Sequence, residues 1–134
     1  MTSAPFADRM TDAEALLWRL DADPALSGTF GNITLLDRPP DFDRLRRRLD
    51  GAVIAVPRLR QRVQAGPTPL TAPAWVDDPD FDPDFHLRRL ALPKPGSPAQ
   101  LHRLAAMLLL DPFDRTRPLW QVVVVEGLRG GRAA

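Results

Sequence analysis

Four consecutive valines, Val122 to Val125, lie between a Pro118-Leu119-Trp120 corner and a Glu126-Gly127-Leu128 step, and a glycine pair follows at Gly130-Gly131. A valine run without polar alternation reads as a strand covered on both faces or as the inner strand of a hairpin, since a solvated face would interleave polar side chains. A helix end at Leu108–Leu110 and an acidic and basic turn from Asp111 to Arg117 lead into it. The glycines turn the chain back, which announces a hairpin. Only Arg132, Ala133 and Ala134 come after them. The expectation is therefore a single arm without its partner, leaving an apolar edge open to self-association.

A chain of 134 residues with 44% hydrophobic content suffices for one ordinary core. Its formal net charge of +1 points to neither nucleic acid nor an acidic surface as partner. With no cysteine there is no disulfide framework, thiolate nucleophile or cysteine metal site. The longest apolar run, Leu104 to Leu110, is far too short to span a bilayer, and the first nine residues lack the charged start and apolar core of a signal peptide. A cytoplasmic protein, with contact at a membrane periphery as an extension, is the expected setting.

Along the chain, Thr11-Asp-Ala-Glu14 has capping-box spacing, and Ala13, Leu16, Leu17 and Leu20 fall on one helical face, so a short amphipathic helix is expected at 11–20. Gly28 to Leu36 reads as a strand ended by Pro39-Pro40. Asp41 caps a second helix whose periodic residues, Phe42, Leu45, Leu49, Ala52, Val53 and Val56, run until Pro57. Leu59, Gln61 and Val63 then alternate with Arg58, Arg60 and Arg62, the pattern of a half-exposed strand with a basic face. After a proline-rich connection, Trp75-Val76 is a short apolar step, and Phe85 to Ala91 reads as extended. Ser97-Pro98 starts a helix with Leu101, Leu104, Ala105 and Leu108 as its buried stripe. This mixture predicts a layered α/β sandwich.

Few residues here carry chemistry by type and spacing. His86 and His102 are the only histidines, and neither has a neighbouring serine and acidic orienter or the spacing of a zinc site. His86 reads as a structural residue on a strand and His102 as a solvated one near a helix start. Asp77, Asp78, Asp80, Asp82 and Asp84 resemble the opening of a calcium loop, but Pro83 and the missing glycine and distal glutamate favour a solvated, turn-forming segment. Arg44, Arg46, Arg47 and Arg48, with Arg58, Arg60 and Arg62, are either a basic patch for phosphate groups or an anionic membrane surface, or the wet face of a helix. No glycine-rich phosphate loop is present, and Trp120 reads as a core anchor.

Three segments taken in order add a resemblance. They are Trp75-Val-Asp-Asp-Pro-Asp-Phe-Asp-Pro-Asp-Phe-His86-Leu-Arg, then Leu90-Ala-Leu-Pro-Lys-Pro-Gly96, then Leu110-Asp-Pro-Phe-Asp-Arg-Thr-Arg-Pro-Leu-Trp120 with Glu126-Gly-Leu128. In order and spacing they resemble the bacterial wax ester synthase/diacylglycerol acyltransferase family, and Pro118-Leu119-Trp120 resembles one of its recurring motifs. The resemblance implies a fold shared with condensation domains and carnitine acyltransferases. It also implies acyl-CoA as co-substrate, with no other cofactor, and diacylglycerol or a long-chain alcohol as acceptor. In that family a His-His-x-x-x-Asp-Gly motif supplies the general base, its second histidine, on the strand after the Gly-Leu turn. This sequence does not contain that motif.

The resemblance therefore transfers no catalytic residue and no metal ligand, and Pro118, Leu119 and Trp120 enter as structural support. The whole chain, 1–134, is expected to be a partial N-terminal acyltransferase domain that stops before the motif and is inactive alone. Two other readings stand beside it. One is a non-catalytic binding or membrane-peripheral module, contacting a membrane or lipid droplet through the arginine-rich helix. The other is part of a peptide-synthetase condensation domain, which fits Leu92-Pro-Lys-Pro-Gly96 and Pro118-Leu-Trp120 less well.

Overall fold

The computed structural model describes residues 9–134. The signal-peptide reading of the first residues lies outside that range. Besides two short 3-10 turns, four α-helices and four strands are formed among the described residues. They are helices α1 (Asp12–Leu20), α2 (Phe42–Ala55), α3 (Pro83–His86) and α4 (Pro98–Leu110), and strands β1 (Gln61–Gln64), β2 (Ala74–Asp77), β3 (Leu87–Ala91) and β4 (Val122–Glu126). The chain forms two compact units, one holding residues up to Thr29, Val53–Phe81 and Phe113–Leu119, the other Phe30–Ala52, Asp82–Pro112 and Trp120–Ala134.

In the first unit, β1 and β2 pair antiparallel with Val63 opposite Trp75. Arg9, ahead of the Thr11 cap of α1, adds an antiparallel bridge to Ala74 of β2. Met10, Ala15 and Val63 form a small core with Trp18, Trp75 and Leu119 packed against it. Thr11 caps α1 as expected, its hydroxyl accepting from the Glu14 amide while the Glu14 carboxylate accepts from the Thr11 amide. The buried face differs from the expected one. Ala15 is buried and Trp18 half-buried, whereas Leu16, Leu17 and Leu20 are 56%, 64% and 39% exposed. The apolar stripe that should have faced the core points outward.

The basic strand expected from Arg58 begins later. Pro57 opens a 3-10 turn over Pro57–Arg60, because its fixed φ and missing N–H suit a first helical position, and extended backbone starts only at Gln61. Arg58 then lies over the Trp75 ring, 4.2 Å from its centroid, instead of pointing into solvent.

The second unit is built on a β3–α4–β4 crossover. β3 and β4 are parallel, in register from Leu87–Val122 to Ala91–Glu126, and α4 makes the connection. Ser97 and Gln100 form a capping box at the start of α4, and Leu101 is buried with Leu104, Ala105 and Leu108 half-buried, as the spacing predicts. Leu101, Val125 and Leu128 are the core, with Leu92, Leu104, Val123 and Ala134 packed on it. Gly96 joins β3 to α4 at φ +66°, and a Cβ there would fall 1.9 Å from the Gly127 carbonyl oxygen. Only glycine permits that approach.

The hairpin has its second arm after all. Leu128 bridges Arg132, and Val125 and Ala134 exchange both backbone hydrogen bonds, at 2.8 and 2.9 Å. The register slips by one residue between these pairs, beside Gly127 at φ +81°. Three residues thus suffice to place β4 between β3 and an antiparallel arm, and Val124 and Val125 are 4% and 5% exposed. On its far side that arm meets Leu36 through a Leu36–Ala133 bridge. This bridge is all that the strand expected at 28–36 achieves. Phe30 is 91% exposed and Ile33 and Leu35 are 44% and 59% exposed, because β-leaning residues form a ladder only where a partner edge lies alongside. The extended reading of Phe85–Ala91 is also half right. Asp82 caps and Pro83 starts a single helical turn that ends at His86, and β3 begins at Leu87.

Candidate functional site

Of the residues singled out in the sequence, His86 and Trp120 meet at the head of β4 in the second unit. His86, the last residue of α3, is 1% exposed and stacks on Trp120 with ring centroids 4.5 Å apart and planes at 19°. Its Nδ1 lies 2.8 Å from the Trp120 carbonyl oxygen. A carbonyl only accepts, so Nδ1 carries the proton in this contact and donates it. Phe85 meets the same imidazole edge-on at 5.3 Å. The local sequence explains this placement. The Asp82 carboxylate accepts from the Asp84 amide at 2.9 Å, Pro83 pre-sets the first turn, and the turn delivers Phe85 and His86 in succession. Asp84 in turn pairs with Arg46 of α2.

Of the motif Pro118-Leu119-Trp120, Pro118 is buried and Leu119 packs in the first unit's core, while Trp120 belongs to the second unit and stacks on His86. Just upstream, Asp114 accepts from the Thr116 hydroxyl at 2.6 Å and amide at 2.9 Å. These bonds, the hydroxyl first, hold its carboxyl below the usual aspartate range. Arg115 stands 3.4 Å over the Trp18 ring and donates to the Trp18 carbonyl oxygen at 2.7 Å.

His86 and His102 are not brought together as a catalytic pair. His102 is exposed on α4 and lines a cavity of about 230 Å³ together with Leu101, Leu128 and Arg132. The acidic run is turn-forming. Asp78 accepts from the Asp80 amide, and among the described residues no group of three His, Cys, Asp or Glu side chains is placed to hold a metal ion.

The arginine run separates into groups of different character. Arg58 stacks on Trp75, and Arg60 pairs with Asp77 at 3.8 Å. Arg46 is held between Asp50 and Asp84, and the Asp84 hydrogen bond is the main cause that raises its guanidinium above the ordinary arginine value. Arg44, Arg47 and Arg48 remain exposed on α2. The sequence reading missed the Arg–Trp stacks and the His86–Trp120 pair, since partners far beyond a helical turn or a strand repeat, 34 positions apart for His86–Trp120 and 97 for Arg115–Trp18, leave no periodic trace.

The architecture matches solved structures. The first condensation domain of the calcium-dependent antibiotic synthetase superposes on 98% of this chain and 33% of its own, with a TM-score of 0.65 at 19% identity. That likeness defines the class, a condensation-type α/β fold. A wax ester synthase/diacylglycerol acyltransferase from Marinobacter aquaeolei VT8 superposes on 74% of this chain and 25% of its own, with a TM-score of 0.59 and 30% identity. The model of the wax ester synthase/diacylglycerol acyltransferase catalytic domain matches residues 10–134. A putative diacylglycerol O-acyltransferase of Mycobacterium tuberculosis is 40% identical over 132 residues, 98% of this chain and 27% of the relative. A probable diacylglycerol O-acyltransferase of the same organism is 39% identical over 94% of this chain and 47% of its own length. The chain therefore belongs to the wax ester synthase/diacylglycerol acyltransferase family, and it spans about a quarter of the length of the first of these relatives.

Proposed function

We propose that this chain supplies the N-terminal part of an O-acyltransferase that moves an acyl group from acyl-CoA to the hydroxyl of diacylglycerol or a long-chain alcohol. In this reading its residues position the reaction and do not perform it. The family match over residues 10–134 carries the proposal. The reaction joins the acceptor oxygen to the thioester carbonyl carbon and releases CoA as its thiol. A base removes the hydroxyl proton and returns it to the leaving sulfur.

Neither histidine of this chain suits that base. His86 is buried with its Nδ1 proton committed to a carbonyl, and His102 sits on an exposed helix face. The arm begun by Arg132–Ala134 runs antiparallel to β4 with Ala134 opposite Val125. In a complete family member, an arm prolonged in that register comes alongside Val123 and then Gln121. The His-His-x-x-x-Asp-Gly motif would then arrive near Trp120 and His86. Among the described residues no helix is long and apolar enough to cross a membrane.

The test is CoA release from a long-chain acyl-CoA with diacylglycerol or hexadecanol as acceptor. The 134-residue chain alone is expected to match the buffer blank. A chimera continued with the remaining length of the mycobacterial relative is expected to release CoA only with acceptor, and to lose that release when the second histidine of the relative's motif becomes alanine. Acceptor-dependent turnover by the 134 residues alone would refute the positioning role, and a folded but inert chimera would refute the assignment to this enzyme.

A further inference from the structure

The arginines of α2 do not share one environment. Arg46 is neutralised by Asp50 and Asp84, whereas Arg44 and Arg48, four residues apart and so on one helical face, have no carboxylate within ion-pair distance among the described residues. The loop before the helix brings a third guanidinium, Arg38, to the same place, and these three line an open groove of about 560 Å³. Pro39 and Pro40 also line it, and their fixed φ angles stiffen the mount of Arg38.

Two carboxylates border the groove, Asp37 and Asp41. Asp41 accepts from the Arg44 amide at 2.9 Å and is thereby committed to the end of α2. Neither carboxylate pairs with Arg38, Arg44 or Arg48, so three guanidinium groups line one concavity, with no ion pair to any of the three among the described residues.

From this we infer that the groove between the Leu36–Asp41 loop and the first turns of α2 is a binding site for a phosphate ester, held by Arg38, Arg44 and Arg48. Guanidinium is suited to that ligand because its planar donors engage two phosphate oxygens at once, and an anion relieves the mutual repulsion of the three cations. The phosphate can be that of a soluble nucleotide such as CoA or that of a phospholipid headgroup. The assignment does not depend on the acyl-transfer reading, although a soluble-nucleotide source would give that reading its co-substrate anchor.

The test uses the 134-residue chain at low salt with four probes: CoA, dephospho-CoA, phosphatidylcholine vesicles, and vesicles of phosphatidylcholine with phosphatidate. Calorimetry or sedimentation reads the binding. The chain is expected to bind CoA or the phosphatidate vesicles. The R38A/R44A/R48A variant is expected to lose at least tenfold in affinity, and R44K/R48K is expected to fall between it and the parent, because it keeps charge without the fork. R47A, which removes an arginine of the same helix outside the groove, should stay within about twofold. Circular dichroism verifies that each variant is folded. Binding of CoA over dephospho-CoA and vesicles assigns a nucleotide source, and binding of phosphatidate vesicles over CoA assigns a headgroup. No binding to any probe, or an R47A loss equal to that of the triple variant, would overturn the site in favour of a merely solvated basic face.

Discussion

Helices α1 and α4 begin alike and end up in opposite situations. Each has a hydroxyl N-cap and a reciprocal bond from the third residue, Thr11 with Glu14 in α1 and Ser97 with Gln100 in α4. Each carries leucines at helical spacing. Yet Leu101 of α4 is 4% exposed at the centre of its unit's core, while Leu17 of α1 is 64% exposed. The cap and the stripe are local properties that decide whether a helix forms. Burial is decided by the crossover, which forces α4 to lie against β4, whereas nothing in the β1–β2 ladder compels α1 to present its leucines inward. A stripe of leucines is thus a statement about what a helix can cover, and the fold decides whether it covers anything within this chain.

This contrast can be broken or sharpened by experiment. The largest effect is expected where β3 turns into α4. Gly96→Ala combines a left-handed backbone with a Cβ clash against the Gly127 carbonyl and should cost about 4 kcal/mol, the sum of strain and overpacking, read as a lowered midpoint in urea unfolding. Next comes the leucine comparison. Leu101→Ala should destabilise by about 3 kcal/mol and Leu17→Ala by no more than about 0.5 kcal/mol. Equal losses in the two variants would show that the α1 stripe is covered in solution, for instance by a second copy, and sedimentation of the L17A variant would then report the change in mass.

Smaller effects address the caps. Thr11→Ala and Ser97→Ala should each cost about 1 kcal/mol if capping is as local as the shared geometry implies. A far larger loss from Ser97→Ala would mean that the α4 cap also holds the Pro93 turn, whose carbonyl oxygen accepts from the Gln100 side chain at 3.2 Å.

The smallest difference is in pH dependence. The Thr11 amide is the main cause that holds the Glu14 carboxyl below its ordinary value, followed by the Thr11 hydroxyl. A carboxyl whose folded value is lowered contributes fully above the ordinary glutamate range, and the contribution fades as pH falls through the lowered value. Acid should therefore speed amide exchange at Thr11 relative to Ser97, whose partner Gln100 does not titrate. Parallel loss of protection at both amides would show that acid opens the chain globally.

The candidate site was legible to the extent that its parts obey local rules. Pro118-Leu119-Trp120 and the valine run marked the head of β4, and the Asp82–His86 stretch lay in a segment whose order matched the family. What could not be read was which of these residues touch. His86 reaches Trp120, 34 positions away, because α3 ends where β3 begins and β3 pairs with β4. The arginine run shows the same division. Composition gave a basic helix, but only packing withdrew Arg46 to its two aspartates and added Arg38 from the loop.

The sequence by itself determined the helix starts at Thr11, Asp41 and Ser97, the inner-strand character of Val122–Val125, and the family. These depend on interactions within a few residues or on the order of motifs. The tertiary structure alone decided that Leu16, Leu17 and Leu20 face outward, that Gly28–Leu36 contributes one bridge and no strand, and that Arg132–Ala134 pair with β4. Each of those outcomes turns on whether a partner surface or edge lies alongside. That is a property of chain topology, and no local pattern of residues encodes it.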